Sequence, residues 1–104
     1  MRIRYTPASL DDLKNIKGYI AEILYNQIAS QNVINRIIKT INLLKNSPTL
    51  GRKLEEKTSI ETDLRYILSN KYIIIYRIEN DCISIIRIID TRTNYLSIIE
   101  WGEM

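Results

Sequence analysis

The residues of this chain that could do chemistry are cationic and aromatic. Arg65, Arg87 and Arg92 fall in its second half, with Tyr72, Tyr76 and Tyr95 close by in sequence. A guanidinium presents a planar fork of donors that suits a phosphate or a carboxylate, and a tyrosine ring can stack on a nucleobase. Each also has a purely structural use. Arg65 could pair with Asp63 or Glu61 at a sheet edge, a contact worth under about 1 kcal/mol when exposed. Arg87 lies in an isoleucine-rich run, where burial would require a partner such as Asp90 or Glu79. Tyr72 and Tyr76 alternate with isoleucines, as tyrosines do when they pack on a sheet. Tyr95 precedes Leu96, Ile98, Ile99 and Trp101 and could belong to a turn that closes the core edge.

A second set of cations is Arg36, Lys39, Lys45, Arg52, Lys53 and Lys57, opposed within that stretch only by Glu55 and Glu56. Such an excess could track a phosphate backbone through counterion release, or it could be a solvated helix face. Other chemistries are argued against by composition. The chain has no histidine, and its single cysteine, Cys82, has no partner for a disulfide and no activating imidazole. A zinc site or a cysteine nucleophile is therefore not expected, nor is any cofactor. No stretch approaches about 20 apolar residues without a charge, and no secretory signal opens the chain, so a cytoplasmic protein without a membrane span is expected.

With 104 residues, 45% of them hydrophobic, and a formal charge of +3, one domain with a single core is expected over residues 1–104. Arg2 to Thr6 alternate as a short strand that Pro7 ends. Ser9 with Asp12 resembles a capping box. Leu10, Leu13, Ile16, Ile20, Ile23 and Leu24 then recur at helical spacing, predicting a helix over 9–25. After a polar break at 26–32, Val33, Ile34, Ile37, Ile38, Ile41 and Leu44 predict a second, antiparallel helix that Ser47-Pro48 stops. Residues 47–62 lack periodicity and read as a loop. From Asp63, β-branched runs separated by Ser69-Asn70-Lys71 and Glu79-Asn80-Asp81 predict a three-stranded antiparallel meander.

Two-residue turns at Asn70-Lys71 and Asn80-Asp81 would place Arg65 opposite Tyr76 and Ile74 opposite Arg87. One face would then carry Arg65, Tyr72, Tyr76 and Arg87, open to solvent or ligand. The other, with Leu64, Tyr66, Leu68, Ile73, Ile75, Ile86 and Ile88, would be covered by the helices. The expected architecture is thus α+β. An N-terminal strand, a two-helix hairpin and the meander form one sheet with the helices on one face, followed by a short C-terminal turn or helix.

That order of elements, with several local motifs, resembles the RelE/ParE superfamily of type II toxin-antitoxin toxins, which includes plasmid stabilisation proteins. Residues 62–78, TDLRYILSNKYIIIYRI, are similar to its "DLR, hairpin, Y-hydrophobic-Y-R" signature. Ile83–Ile89 with Arg92 and Asn94-Tyr95-Leu96 look like its "RV-x-x-x-R-x-DY" ending, and Ser47–Arg52 like its "P-x-x-G" loop. The resemblance implies a cognate antitoxin, and most directly a ribosome-dependent endoribonuclease, an mRNA interferase that inhibits translation. In that reaction a ribose 2′-oxygen attacks the adjacent phosphate and the 5′-oxygen leaves. Arg65 and Arg92 would hold the scissile phosphate with Arg87 in support, Tyr95 would stack on a base or orient the 2′-hydroxyl, and Arg52, Lys53 and Lys71 would line the RNA approach. Two alternatives share the scaffold: a non-enzymatic inhibitor of DNA gyrase, as in the ParE branch, and an inactive relative that only binds antitoxin. The chain also departs from the pattern. Asp90-Thr91-Arg92-Thr93-Asn94-Tyr95 stands where relatives carry two basic residues, and proton removal would fall to Glu55, Asp90, a lysine or no side chain.

Overall fold

The computed structural model describes residues 1–94 and 97. Its elements run β1 (Arg2–Tyr5), α1 (Pro7–Gly18), a π-helical turn (Tyr19–Ile23), α2 (Gln27–Leu43), β2 (Arg52–Lys53), α3 (Leu54–Thr58), β3 (Arg65–Ser69), β4 (Tyr72–Ile78) and β5 (Cys82–Asp90). The five strands form one mixed sheet in the order β1-β5-β4-β3-β2. β3, β4 and β5 are joined antiparallel as expected, whereas β1 lies parallel to β5 at one border and β2 pairs with β3 at the other. No described helix is long and apolar enough to cross a membrane. The short C-terminal turn or helix expected after β5 falls outside the described residues.

The first helix begins earlier than its apolar spacing predicts. Thr6, not Ser9, is the N-cap: its Oγ1 accepts from the Ser9 amide at 3.1 Å, and Pro7 occupies the first turn. The Thr6 hydroxyl also donates toward the carbonyls of Ile85 and Ile86, tying the start of α1 to β5. Ser9 is fully buried in the first turn and donates to the Thr6 carbonyl. Regular helix ends at Gly18, and the apolar pattern that continues to Leu24 is carried by the π turn. Tyr25, with φ of 50°, reverses the chain. Asn26 then caps α2 through its side chain, so the second helix takes in most of the stretch expected to be a break.

Residues 47–62 are not simply a loop, because they contribute β2 and α3. This changes which face of the sheet is covered. Ile37, Ile41 and Leu44 from α2 and the end that follows it pack with Tyr72, Ile74, Tyr76, Ile83, Ile85 and Ile88. On the opposite face Leu54, the first residue of α3, packs with Leu64, Ile73, Ile75 and Ile89, with Tyr66 and Ile86 at the margin. The expected assignment of faces is therefore inverted for Leu64, Tyr66, Ile73, Ile75 and Ile86, while Ile88 lies under the helices as expected. The Tyr72/Tyr76 face lies under the long helices, and the Ile73/Ile75 face is closed by α3. Sequence periodicity in β4 is uninformative here, since Tyr72 to Tyr76 are all buried.

The expected register holds for β3–β4, where Arg65 faces Tyr76, and fails for part of β4–β5. Tyr76 faces Ile85, but Ile75 faces Arg87 and Ile74 faces Ile88, so Ile86 is the extra residue of a bulge. Arg87 is thereby moved one place from its predicted position opposite Ile74.

Candidate functional site

The loop between α2 and β2 is built around two side chains from the sheet. The buried Tyr76 hydroxyl donates to the Pro48 carbonyl at 2.8 Å and accepts from the Gly51 amide at 3.0 Å. Gly51 is required by this close approach. A Cβ there would lie 2.5 Å from the Tyr76 hydroxyl and collide with the Tyr66 carbonyl. Arg65 completes the arrangement, its Nη2 donating to the carbonyls of Gly51 at 2.8 Å and Thr49 at 3.2 Å. Neither Asp63 nor Glu61 neutralises it. Asp63 instead takes Arg77, which lowers the Asp63 carboxyl below the usual carboxylate range by direct hydrogen bonding. The Arg65 Nε is buried without a hydrogen-bond partner. Lys53 is the cross-strand neighbour of Arg65, and Arg52 that of Tyr66. Lys53 and Arg65 share an open cleft of about 510 Å³ with Glu55, Glu61 and Asp63, so its walls are of mixed sign.

Arg87 is engaged elsewhere. Its Nε and Nη2 grip Asp12 of α1 at 2.7 and 2.8 Å, and the same carboxylate accepts from the Ile88 amide at 2.8 Å. Direct hydrogen bonding to Asp12 raises the Arg87 pKa further. The partners expected for an internal pair, Asp90 and Glu79, are not the ones used. β1 covers β5 only as far as Ile85, so Asp12 serves both the strand amide left uncovered beyond that point and the guanidinium beside it.

Arg92 folds back onto Asp90 through its backbone amide, Nε and Nη2, at 2.9, 3.1 and 2.8 Å. Lys71 approaches the same carboxylate at 3.8 Å and stands over the Tyr72 ring. The Arg92 contact is the main reason the Asp90 carboxyl is held down at about 2. An apolar-walled recess of about 460 Å³ lies alongside, lined by Asn15, Ile16, Tyr19, Tyr72, Asp90 and Arg92. Tyr72 feels its burial first and the Asp90 charge second, both raising its pKa. Tyr95 lies outside the described residues.

The three arginines do not meet. Arg65 is level with Tyr76 and Ile85, while Asp90 is level with Tyr72 at the other end of the same strands. Four residues at about 3.3 Å and two strand spacings of about 4.8 Å put the Arg65 and Asp90 backbones about 16 Å apart. Arg92 lies beyond Asp90, in the turn whose Thr91 amide bonds the Lys71 carbonyl. Arg52, Lys53 and Arg65 thus occupy one end of the sheet and Lys71 and Arg92 the other. The remaining cations are equally divided. Arg36 and Lys39 are exposed on α2, and Lys57 of α3 sits over the Tyr66 ring on the opposite face. Sequence reasoning missed Asp12 and Tyr76, whose roles depend on contacts across 75 and up to 28 residues of chain. The pairing of Thr6 and Pro7 as cap and first turn was the one local clue to where α1, and with it Asp12, would sit.

A mixed sheet with two helices on one face, a third on the other and Arg65, Arg87 and Arg92 each engaged internally defines a small α+β scaffold without an assembled catalytic cluster among the described residues. The family model for the ParE toxin of the type II toxin-antitoxin system, parDE, matches residues 3–95, and the chain belongs to that family. The fold is similar to a solved structure described as the chromosomal ParDE toxin-antitoxin system from P. aeruginosa. The TM-score is 0.73 at 17% identity, over 86% of this chain and 95% of that one. No curated protein sequence matches the chain.

Proposed function

We propose that this protein is a toxin that arrests growth by binding DNA gyrase, without cleaving a substrate, and that its cognate antitoxin silences it. The observation that carries this reading is the dispersal of Arg65, Arg87 and Arg92. Charge stabilisation of a phosphorane requires donors preorganised on one centre. Here each guanidinium already serves a different internal acceptor, and two of them are at opposite ends of the sheet. A toxin that acts by association needs no such convergence and can use its exposed surface directly. Membership of the ParE family favours the same reading.

Two assays on purified protein decide it. Gyrase supercoiling is expected to fall as toxin is added, with recovery on addition of antitoxin, while mRNA on programmed ribosomes stays intact. Unaffected supercoiling together with message cut in the decoding site would replace this reading with the endoribonuclease one, in which Arg65, Arg92 and Tyr95 hold the phosphate and base and Arg52, Lys53 and Lys71 line the RNA path. Inactivity in both, with antitoxin still bound, would mark a relative that retains only the partner interaction.

A further inference from the structure

The tip of the helical hairpin carries apolar surface that the rest of the described chain leaves bare. Tyr19 and Ile23 of the π turn, Leu24 and Tyr25 after it and Ile28 in the first turn of α2 are all more than half exposed, Tyr25 at 91%. Together they expose on the order of 500 Å² of apolar surface, a size at which a patch on a small protein marks an interaction site. Tyr25 adds a second sign. It sits at φ of 50°, a left-handed position that disfavours a bulky side chain, yet its ring gains no burial within the chain. Glycine would make the same reversal without strain.

Beside this knob lies a hole. Lys14, Lys17, Tyr19, Glu22 and Gln27 are among the residues around an open recess of about 570 Å³. Charges of both signs border it, yet Lys14, Lys17 and Glu22 form no ion pair among the described residues. A protruding aromatic ring, a recess next to it and unpaired charges of opposite sign make the tip complementary to itself. Two-fold symmetry uses each of these features twice, since a residue that meets a neighbour across the axis is met by the same neighbour in return.

We propose that the hairpin tip docks on the tip of a second copy of this chain in a two-fold dimer. Tyr25 of each protomer enters the recess beside Tyr19 of the other, and Ile23, Leu24 and Ile28 form the apolar centre around the axis. Glu22 of each faces Lys14 and Lys17 of its partner, so the charges that have no counterpart within one chain find one across the interface. The aliphatic stems of these lysines extend the covered area towards the roughly 800 Å² per partner of a stable interface. The association is independent of which target the toxin inhibits.

Sedimentation velocity on the purified full chain, over a range of concentrations, is expected to show a reversible monomer–dimer equilibrium. Tyr25→Asp is expected to raise the dimer dissociation constant at least about tenfold, with circular dichroism verifying that the variant folds. Charge reversal adds a readout that a folding defect does not mimic. Glu22→Lys and the double variant Lys14→Glu/Lys17→Glu are each expected to weaken self-association, and mixing the two is expected to restore a heterodimer. A chain that stays monomeric at every concentration overturns the proposal, as does a dimer indifferent to Tyr25→Asp. A monomeric chain in which Tyr25→Asp abolishes binding to antitoxin or to gyrase gives the tip to that partner and overturns self-association too.

Discussion

Tyr76 and Asp12 show how single polar groups fix this structure. The Tyr76 hydroxyl has both a donor and an acceptor partner in the loop that leads to β2. Tyr76→Phe keeps the ring and removes both bonds, leaving the Gly51 amide unsatisfied. A loss of about 1–3 kcal/mol is expected by denaturant unfolding. Gly51→Ala acts on the same contact by overpacking and should cost a further-reaching backbone shift, about 1–3 kcal/mol or more. Asp12 serves a guanidinium and a strand amide at once. Asp12→Ala should therefore destabilise by about 3 kcal/mol, towards the lower end for a broken buried pair because Arg87 is partly exposed. Adding Arg87→Met should recover part of that loss, since the stranded charge is then removed as well. Equal stability of the single and double variants would show that Asp12 acts on the Ile88 amide alone.

Asp90 supplies a pH dependence of known sign. Its carboxyl is depressed to about 2 in the folded chain against 3.8 ordinarily, because Arg92 donates to it. A depressed carboxylate contributes stability above its unfolded pKa and loses it as pH falls through the folded value. The urea midpoint should therefore decline as pH is lowered from about 4 to about 2, and Asp90→Asn should flatten part of that decline. Asp63, lowered by Arg77, acts in the same direction and leaves a residual slope. A variant whose slope matches the parent would mean that the Arg92 contact does not persist in solution.

Among the elements, the β5 bulge and α3 decide which residues are presented where. Ile86 is the extra residue that lets Ile85 and Ile88 both reach the core under the helices, three positions apart. Deleting Ile86 would restore a regular ladder with Arg87 still opposite Ile75 and Ile88 still opposite Ile74, so the faces of Arg87 to Asp90 are kept. A cooperative thermal transition is therefore expected to persist, lowered by the lost contacts of Ile86. Loss of that transition would show that the bulge itself is required by the fold. Neither feature could be read from the chain itself. The turns at Asn70-Lys71 and Asn80-Asp81 are local and came out as expected, as did the pairing of Arg65 with Tyr76. A bulge, by contrast, has no residue signature here within a run of β-branched residues, and α3 is a single turn without helical periodicity.

At the scale of the whole molecule, charge is spread, not concentrated. Cations occur on α2, on α3, at both ends of the sheet and along β1. Among the described residues the cations form no single phosphate channel, which fits the target-binding reading proposed above. Arg92→Ala separates the two modes of action. It is expected to leave growth arrest by the toxin intact, since Arg92 serves Asp90. Abolished toxicity in a protein that still folds and still binds antitoxin would return Arg92 to a phosphate-holding role.

By itself the chain determined its class of architecture, the order strand, helices, strands, and the membership its motifs imply. Those follow from periodicity, capping and turn chemistry, which act over a few residues, and from motif order along the backbone. The tertiary structure alone decided which face the helices cover, where Arg87 points and that the arginines stay apart. These outcomes depend on one inserted residue in β5, one turn of helix on the far side of the sheet, and carboxylates distant in sequence. In strands buried on both faces, alternation carries no signal of which side is which.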